Sequence, residues 1–284
     1  MKYKLIVLLL TIAFLQGCTS KMAYNNADWL ASWYIDDYVD LSRDQNRNLE
    51  IELESVLKWH RETQLSQYRQ QLVALSNDLN HLPISQHIWL THFNQITDHW
   101  QLLRRELSTR AATLAPQLDQ QQVNYLFAKL EENNKENLED FNEKTLEEYR
   151  ADRLERLLET LEDYLGSVNR QQKNDATIFV EQAKITEQEW FDSKVKLQAA
   201  MKKAFVSRIK AEQPVTLTEE LFELMSNPDQ FKSDIFLGAY AHNRQLLLNM
   251  LQSITTSLDE DQVSHLKSEI NDLIQLIDDV SEKP

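Results

Sequence analysis

The segment from Trp29 to Asp40 combines aromatic and acidic side chains in a pattern that could bind a partner or a cation. Trp29 and Trp33 are four residues apart, which places both on one face of a helix. Asp36, Asp37 and Asp40 follow closely, and carboxylate oxygens are ligands that Ca²⁺ prefers. A calcium site usually takes about six oxygens or more, so we expect no metal here. The segment either binds a partner or packs its tryptophans on the bundle as an aromatic plug.

Four histidines lie close together in the sequence, at His81, His87, His92 and His99. Two zinc ligands on one helix need i,i+3 or i,i+4 spacing, whereas successive histidines here are five to seven residues apart and no H-E-x-x-H motif occurs. We therefore predict no metal and no cofactor. Solvated histidines are the expected arrangement, and sensing of pH near neutrality is the alternative.

A basic stretch, Ser193–Ala211, contrasts with the rest of the chain. It has six Lys or Arg residues and no acidic one, in a protein with Lys+Arg 30, Asp+Glu 45 and a formal net charge of −15. We expect this stretch to pair with the acidic residues of 131–155 on a neighbouring helix. The alternative is contact with anionic phospholipid or lipopolysaccharide, with Lys202 and Lys203 as candidate binding residues.

The composition excludes several classes of protein. Three glycines leave no material for glycine-rich phosphate loops, and one cysteine excludes a disulfide framework and a cysteine-based zinc site. The acidic balance argues against nucleic acid as a partner. No G-x-S-x-G motif occurs, and the carboxylates are too abundant to single out an acid and a base. We therefore predict no catalytic residue and no enzymatic activity.

The chain from residue 22 onward is predicted to be almost entirely helical, because apolar residues recur there with helical spacing. Short connections and the lack of a Gly/Ser-rich linker favour antiparallel packing in a single domain over 24–284. The fold class is all-α, an elongated antiparallel bundle of about eight long helices. The predicted helices cover 24–39, 42–79, 84–113, 119–164, 169–211, 217–226, 229–257 and 259–281.

A five-residue pattern recurs four times: an apolar residue, a capping residue, two variable positions and Gln. The capping side chain can accept a hydrogen bond from the backbone N–H of the Gln, and the Gln side chain can reach back to the capping residue's N–H. Each copy is therefore predicted to be a capping box that starts a helix. The capping and Gln residues are Ser42 and Gln45, Asp119 and Gln122, Asn169 and Gln172, and Asp259 and Gln262.

The N-terminal residues have the features of an export signal. Lys2 and Lys4 precede the apolar run Leu5–Leu15, which is too short to span a bilayer and suits a signal peptide. The run ends in Leu-Gln-Gly before Cys18, the single cysteine of the chain. This resembles the lipobox of bacterial lipoproteins, which implies that residues 1–17 are cleaved and that the Cys18 thiol carries diacylglycerol.

The lipobox resemblance also implies a location. Thr19 follows the cysteine, whereas an Asp there resembles the inner-membrane retention signal of Gram-negative bacteria. We therefore expect acyl chains, palmitate among them, to anchor the protein in the outer membrane. Residues 18–23 form a short tether and the helical domain faces the periplasm, with the cell surface as the alternative.

The repeated pattern resembles the Leu-Thr-x-x-Gln motif of Spy- and CpxP-type periplasmic chaperones, curved helical proteins that hold unfolding clients. The stretch Tyr24–Leu41, followed by Trp59 and His60, resembles a family of Gram-negative lipoproteins known only as a domain of unknown function. That resemblance extends over the mature chain, including the boxes at 118, 168 and 258. It implies a helical periplasmic lipoprotein and supplies no activity.

These features together predict a lipid-anchored, non-enzymatic interaction protein of the periplasm, either chaperone-like or a scaffold at the outer membrane. Its partner would be an envelope protein or unfolded clients. The alternative is a specific adaptor or regulator of an envelope-assembly or cell-wall machine. A hydrolase of envelope polymers is the least favoured reading, since no constellation of side chains supports it.

Overall fold

The computed structural model of the chain describes residues 17–211 and 214–282, with side chains described over 21–207 and 216–282. Residues 1–16 of the predicted signal peptide and the side chain of Cys18 lie outside these ranges. The described residues form helices and no strand, so the all-α helical class is confirmed. Within the same ranges, no helix has the length and apolarity required to cross a membrane.

The helices of the described chain are more numerous than the eight predicted, because several predicted segments are interrupted. A π-helical turn at His60–Gln64 joins α3 to α4, and 3₁₀ turns at Ala115–Gln117 and Pro228–Phe231 precede α6 and α11. The α-helices are α1 (Gly17–Asn25), α2 (Ala27–Asp36), α3 (Arg43–Trp59), α4 (Leu65–Asp78), α5 (Gln86–Leu114), α6 (Gln120–Asn142), α7 (Leu146–Leu165), α8 (Arg170–Gln182), α9 (Glu187–Ala211), α10 (Pro214–Ser226), α11 (Asp234–Thr256) and α12 (Glu260–Ser281).

The prediction of one continuous helix over 119–164 is wrong, because a capping box divides it into α6 and α7. Thr145 has extended backbone angles, and its Oγ1 accepts a hydrogen bond from the Glu148 N–H at 3.2 Å. The Glu148 carboxylate accepts from the Thr145 N–H at 2.9 Å, and these bonds hold the pKa of that carboxyl below its usual range. The Thr-x-x-Glu signal is present in the sequence, but the periodicity around it conceals the break.

The predicted helix over 169–211 is also divided, between α8 and α9, and tertiary hydrogen bonds from α11 stabilise the break. Ala183 leaves the helical conformation with φ −65° and ψ 134°. The Asn243 side chain from α11 then holds Lys184, accepting from its N–H and donating to its carbonyl oxygen, each at 2.8 Å. The two hydrogen bonds replace those that the helix gives up.

Contacts divide the chain into two compact units where the sequence led us to expect a single domain over 24–284. Each unit is assembled from three separated stretches of the chain, which is why no linker marks a boundary in the sequence. Within the described residues, unit 1 consists of 17–64, 98–140, 187–211 and 214–234. Unit 2 consists of 65–97, 141–186 and 235–282.

The core of unit 1 is formed where α5, α6, α9 and α10 meet. Phe127 and Phe205 pack edge to face with ring centroids 5.9 Å apart. Small residues, Ala112 and Ala204, allow the helices to approach closely, and burial of the apolar side chains drives the packing. The buried members are Ala112, Ala115, Val123, Phe127, Ala204, Phe205, Leu217 and Leu221.

Unit 2 has two apolar clusters. The larger one joins α7, α8 and α11 through Leu161, Leu165, Ala176, Phe179, Val180, Met250 and Ile254. The smaller one joins Leu79, Ile84 and Ile270 near the end of α4, the start of α5 and the middle of α12.

Gly166 ends α7 in the left-handed conformation, with φ 71°. A Cβ at this position would lie 3.1 Å from the His265 ring, so both the backbone angle and the close approach favour glycine. The turn that follows leads directly into the capping box at Asn169.

His60 in unit 1 is half-buried, and its Nδ1 lies 3.0 Å from the Tyr24 hydroxyl. Burial, and secondarily the charge of Arg61, lowers the pKa of His60 from 6.5 to about 4. Below pH 6.5 the unfolded chain therefore takes up a proton that the folded chain does not. The stability contributed by neutral His60 is complete above this pH and decreases as the pH falls towards 4.

We predict that His60→Gln reduces the acid sensitivity of unit 1. Between pH 7 and pH 4 the native chain should lose up to about 3 kcal/mol of unfolding free energy through this residue, and the variant should not. Urea unfolding at the two pH values, followed by circular dichroism, measures the difference. The exposed His87→Gln is the matched control. An equal pH dependence for native chain and His60→Gln would contradict the prediction.

Candidate functional site: paired capping boxes and an apolar cavity

The two capping boxes of unit 1 start α3 and α6. The Gln45 N–H donates to the Ser42 hydroxyl at 3.4 Å, and the Ser42 N–H donates to Gln45 Oε1 at 2.8 Å. In the second box, the Gln122 N–H donates to Asp119 Oδ1 at 2.9 Å, and the Asp119 N–H donates to Gln122 Oε1 at 3.0 Å. Both boxes therefore have the two reciprocal bonds that the sequence pattern predicts.

The same two glutamines also bind each other. Gln45 Nε2 donates to Gln122 Oε1 at 3.0 Å, and Gln122 Nε2 donates to Gln45 Oε1 at 2.7 Å. The second hydrogen of each amide goes to the chain preceding the partner box: Gln45 donates to the Gln117 carbonyl at 2.6 Å and Gln122 to the Asp40 carbonyl at 2.7 Å. Each amide thus makes all four hydrogen bonds available to it.

Unit 2 contains the same arrangement at the starts of α8 and α12. Gln172 Nε2 donates to Gln262 Oε1 at 3.0 Å, and Gln262 Nε2 donates to Gln172 Oε1 at 2.9 Å. Gln262 also donates to the Ser167 carbonyl at 2.9 Å, and Gln172 to the Ser257 carbonyl at 3.5 Å. The backbone N–H of Asn169 donates to its own glutamine at 2.9 Å.

The four repeats are therefore two pairs, one in each unit, with one common geometry. In every case the glutamine amide bonds its own capping residue, the partner glutamine, and the carbonyl two residues before the partner's capping residue. One side chain consequently fixes both its own helix start and the chain entering its partner helix. In unit 2 the pair is fully buried, with Gln172 and Gln262 only 0% and 1% exposed.

We predict that Gln172→Ala destabilises the protein by about 2 to 4 kcal/mol. The change removes the four hydrogen bonds of the Gln172 side chain. The buried Gln262 amide, the Asn169 N–H and the Ser257 carbonyl then lose the bonds that they make to this side chain. Equilibrium urea unfolding measures the effect. The control is Gln171→Ala on the same helix, since Gln171 is exposed and its amide donates to Asp175 four residues on; it should change stability by less than about 0.5 kcal/mol. Similar values for the two variants would exclude a structural role for the pair.

An apolar cavity of about 210 Å³ lies beside the glutamine pair of unit 1. The volume exceeds that of an engineered apolar cavity of ~150 Å³ that binds benzene. Its wall includes Met201, Met225 and Phe205, and methionine adapts readily to apolar groups of different shape. The lining residues are Ile35, Val39, Leu41, Gln45, Leu49, Ala111, Leu114, Ala115, Gln117, Leu118, Leu126, Met201, Phe205, Leu221 and Met225.

The apolar positions of the repeated pattern line this cavity. Leu41 and Leu118 precede the capping residues of the two boxes, Leu49 and Leu126 lie four residues after the glutamines, and all four contribute to the wall. The corresponding residues of unit 2 belong to its larger apolar cluster: Val168, Ala176, Leu258 and Leu266. The same pattern thus lines a cavity next to the core of unit 1, against which Leu118 also packs, and contributes to an apolar cluster in unit 2.

The tryptophans singled out in the sequence do not form an aromatic plug. Trp29 is 64% exposed and Trp33 is 53% exposed, and α2 has no buried residue. The carboxylate-bearing residues Asp36, Asp37 and Asp40 are also exposed. The plug interpretation is therefore wrong, and the tryptophan face is available for binding.

The histidines differ from one another in their surroundings. His92 is only 6% exposed, and its Nε2 lies 2.9 Å from the Asp78 carboxylate, so the expectation of a solvated side chain is wrong for this residue. Burial lowers the pKa of His99, against the opposing influence of Asp98. Across the described side chains, no three His, Cys, Asp or Glu residues are grouped so that they could hold a metal ion.

The acidic and basic stretches contact each other through a polar bond, in which Asn134 of α6 donates to Gln198 of α9. Lys202 of the basic stretch lies over the ring of Phe127, which precedes the acidic stretch, 5.9 Å from its centroid. The ion pairs of the acidic stretch include Lys135–Glu139, which runs along α6. Lys202 and Lys203 are exposed on α9, whereas the side chains of Arg208 and Lys210 lie outside the described residues.

The fold and the site together define an all-helical protein in which paired capping boxes fix the helix starts beside an apolar cavity. Residues 37–236 match a family of unknown function, DUF6279, and the chain belongs to that family. The matched region contains the boxes at Ser42, Asp119 and Asn169 and every cavity residue except Ile35. The predicted resemblance to a domain of unknown function is confirmed over this region, which includes neither Trp29 nor the box at Asp259. No curated protein and no solved structure matches the chain.

The pairing and the cavity were both beyond sequence reasoning. The glutamines are 77 and 90 residues apart, and nothing local indicates which box meets which. The cavity residues from α9 and α10, among them Met201 and Met225, carry no motif. The Thr-x-x-Glu pattern of the capping box at Thr145 is present in the sequence, where it also occurs at Thr186 and Thr216.

We predict that Ala111→Phe fills the cavity of unit 1 and abolishes binding of a small apolar probe. Ala111 lies on the cavity wall but is itself exposed, so a larger side chain can enter the space without overpacking the core. Fluorescence of N-phenylnaphthylamine, titrated with the purified chain, measures the binding. Ala128→Phe, at an exposed position of α6 that is not among the lining residues, should leave the probe affinity unchanged. Equal affinity of Ala111→Phe and Ala128→Phe for the probe would show that the probe binds outside this cavity.

Proposed function

We propose that this protein is a lipid-anchored, non-catalytic interaction protein of the periplasm that binds apolar segments of partner proteins, in the manner of a chaperone or scaffold. The observation that carries the proposal is the apolar cavity of unit 1, which lies beside the hydrogen-bonded glutamine pair and is not filled by the chain's own described side chains. A site of this kind takes an apolar group from outside.

The chemistry of the cavity wall favours binding over catalysis. The wall is apolar except for Gln45 and Gln117. The Gln45 amide already uses its full hydrogen-bonding capacity within the pair, so it has little left to offer a substrate. The favourable free energy of binding would come from burial of apolar surface, about 25 cal/mol per Å².

The proposed location depends on the N-terminal sequence. The Leu-Gln-Gly-Cys pattern before the single cysteine, Cys18, supports acylation and anchoring in the outer membrane, and Thr19 supports sorting to that membrane. The helical body would then face the periplasm and capture partners at the inner surface of the membrane. A single residue that carries more than one acyl chain is sufficient for stable anchoring in a membrane.

A second candidate is a specific adaptor for one envelope-assembly or cell-wall machine. The observation that favours it is the size of the cavity, since about 210 Å³ accommodates only one or two large apolar side chains. A small site of fixed shape suits a defined anchor residue on one partner better than a broad range of unfolding clients.

We predict that the purified full chain suppresses aggregation of reduced lysozyme at near-stoichiometric ratios. Ala111→Phe should lose most of this suppression, because it occupies the space that takes up the client's apolar side chains. Ala128→Phe should retain it. Light scattering at several molar ratios measures the effect, and circular dichroism shows that both variants are folded.

The two candidates give different results. Suppression that depends on Ala111 across several clients supports the chaperone-like function. The chaperone-like function would be contradicted if no client's aggregation were suppressed. The adaptor would be supported if, in addition, one dominant partner were cross-linked in membranes and Ala111→Phe no longer captured it. Suppression unaffected by Ala111→Phe would show that the cavity is not the binding site.

A further inference from the structure

An exposed apolar stripe runs along α1 and α2, formed by Met22, Trp29 and Trp33. Met22 is 69% exposed, and both tryptophans are more than half exposed. Trp29 and Trp33 are four residues apart on α2 and therefore share one face. Met22 is exposed on the preceding α1, which Asn26, with φ −120° and ψ 22°, separates from α2. The Asn26 N–H donates to the Met22 carbonyl at 3.2 Å and the Leu30 N–H to the Asn26 carbonyl at 3.0 Å, so hydrogen bonds connect the two helices across this residue.

Other residues of the same segment hold it to unit 1. The Tyr24 hydroxyl lies 3.0 Å from His60 Nδ1, and the Arg61 guanidinium lies over the Tyr24 ring, 5.4 Å from its centroid. Farther along, the Tyr38 hydroxyl accepts a hydrogen bond from Asn133 Nδ2 at 2.9 Å. The segment is thus fixed to the body by its tyrosines, while the stripe remains exposed.

We propose that this stripe inserts into the interfacial layer of a zwitterionic phospholipid membrane. Tryptophan favours this layer because its ring is apolar and its N–H can bond to headgroups and water. The position of the stripe supports a membrane over a protein partner: Met22 lies four residues after Cys18, the residue that would carry the acyl chains. This step rests on the anchoring proposed above, which brings the stripe to the membrane surface.

The charges around the stripe identify the kind of lipid. Lys21 and Asp28 lie about a quarter to a third of a turn away from the line of the stripe at ~100° per residue. Asp36, Asp37 and Asp40 follow at its C-terminal end and are exposed, so they would repel anionic headgroups. Phosphatidylethanolamine and phosphatidylcholine are therefore the expected surfaces, and binding should be driven by apolar burial and insensitive to salt.

The test uses the full chain with Cys18→Ser, which removes the acylation site, so that any vesicle binding comes from the protein surface. Sedimentation with phosphatidylethanolamine–phosphatidylcholine vesicles gives the partition coefficient. The double variant Trp29→Ala/Trp33→Ala should partition at least about tenfold less, given the apolar area that the two indoles would bury. Trp100→Ala/Trp190→Ala is the matched control, because these side chains are 42% and 50% exposed on α5 and α9.

A second readout is the quenching of tryptophan emission by lipids with brominated acyl chains. Quenching should be present in the native and control chains and lost in Trp29→Ala/Trp33→Ala. Equal partitioning of the double variant and the native chain would overturn the proposal. Stronger, salt-sensitive binding to phosphatidylglycerol vesicles would also overturn it, because that result would assign the contact to basic residues such as Lys202 and Lys203. Absence of vesicle binding, combined with loss of a cross-linked protein partner in Trp29→Ala/Trp33→Ala, would assign the stripe to a protein.

The failure of this proposal can be distinguished from failure of the proposed anchor. Mass spectrometry of the chain purified from membranes shows whether Cys18 carries acyl groups, independently of Trp29 and Trp33. An unacylated chain whose Cys18→Ser form still partitions through its tryptophans would refute the anchor and support the stripe. A chain that is acylated at Cys18 but whose tryptophans are not quenched would support the anchor and refute the stripe.

Discussion

The reciprocal hydrogen bonding of two glutamine amides is the interaction on which both units depend. Each amide satisfies the capping residue of its own helix, the partner amide and a carbonyl of the chain entering the partner helix. An exposed helix start can leave these groups to water, but a buried one cannot. The pair therefore allows two helix N-termini to meet inside the protein, where the buried Gln172 and Gln262 show the arrangement at its most complete.

The cavity of unit 1 follows from the same constraint. Because Gln45 and Gln122 fix the starts of α3 and α6, the leucines around the two boxes are held at a set separation. In unit 2 the corresponding positions pack into a continuous cluster, with Ala176 bringing its neighbours closer. In unit 1 the position equivalent to Ala176 is Leu49 or Leu126, and both leucines line the partly open cavity. A shared frame thus supports a filled core in one unit and a candidate binding site in the other.

The sequence predicts the local features of this protein well and its long-range features poorly. The all-helical class and the four Gln-containing boxes depend on spacing between neighbouring residues, and the structure shows them where the pattern places them. The division of 169–211 involves hydrogen bonds to Asn243, some sixty residues away, although the Thr-x-x-Glu pattern that begins at Thr186 is a local signal for the start of α9. Exposure of Trp29 and Trp33 was inaccessible, since periodicity shows that two side chains share a face but not what covers it.

The pairing also explains a difference in residue choice among the capping boxes. An isolated box can use glutamate or glutamine at its third helical position, because either side chain can accept from the capping residue's N–H. The box at Thr145 uses Glu148, whose carboxylate makes its bonds within the box. A carboxylate cannot donate, and two of them facing each other would repel. Each of the four paired boxes therefore requires an amide. A change from glutamine to glutamate in one box would be tolerated only if the partner box no longer depended on a hydrogen bond from that side chain.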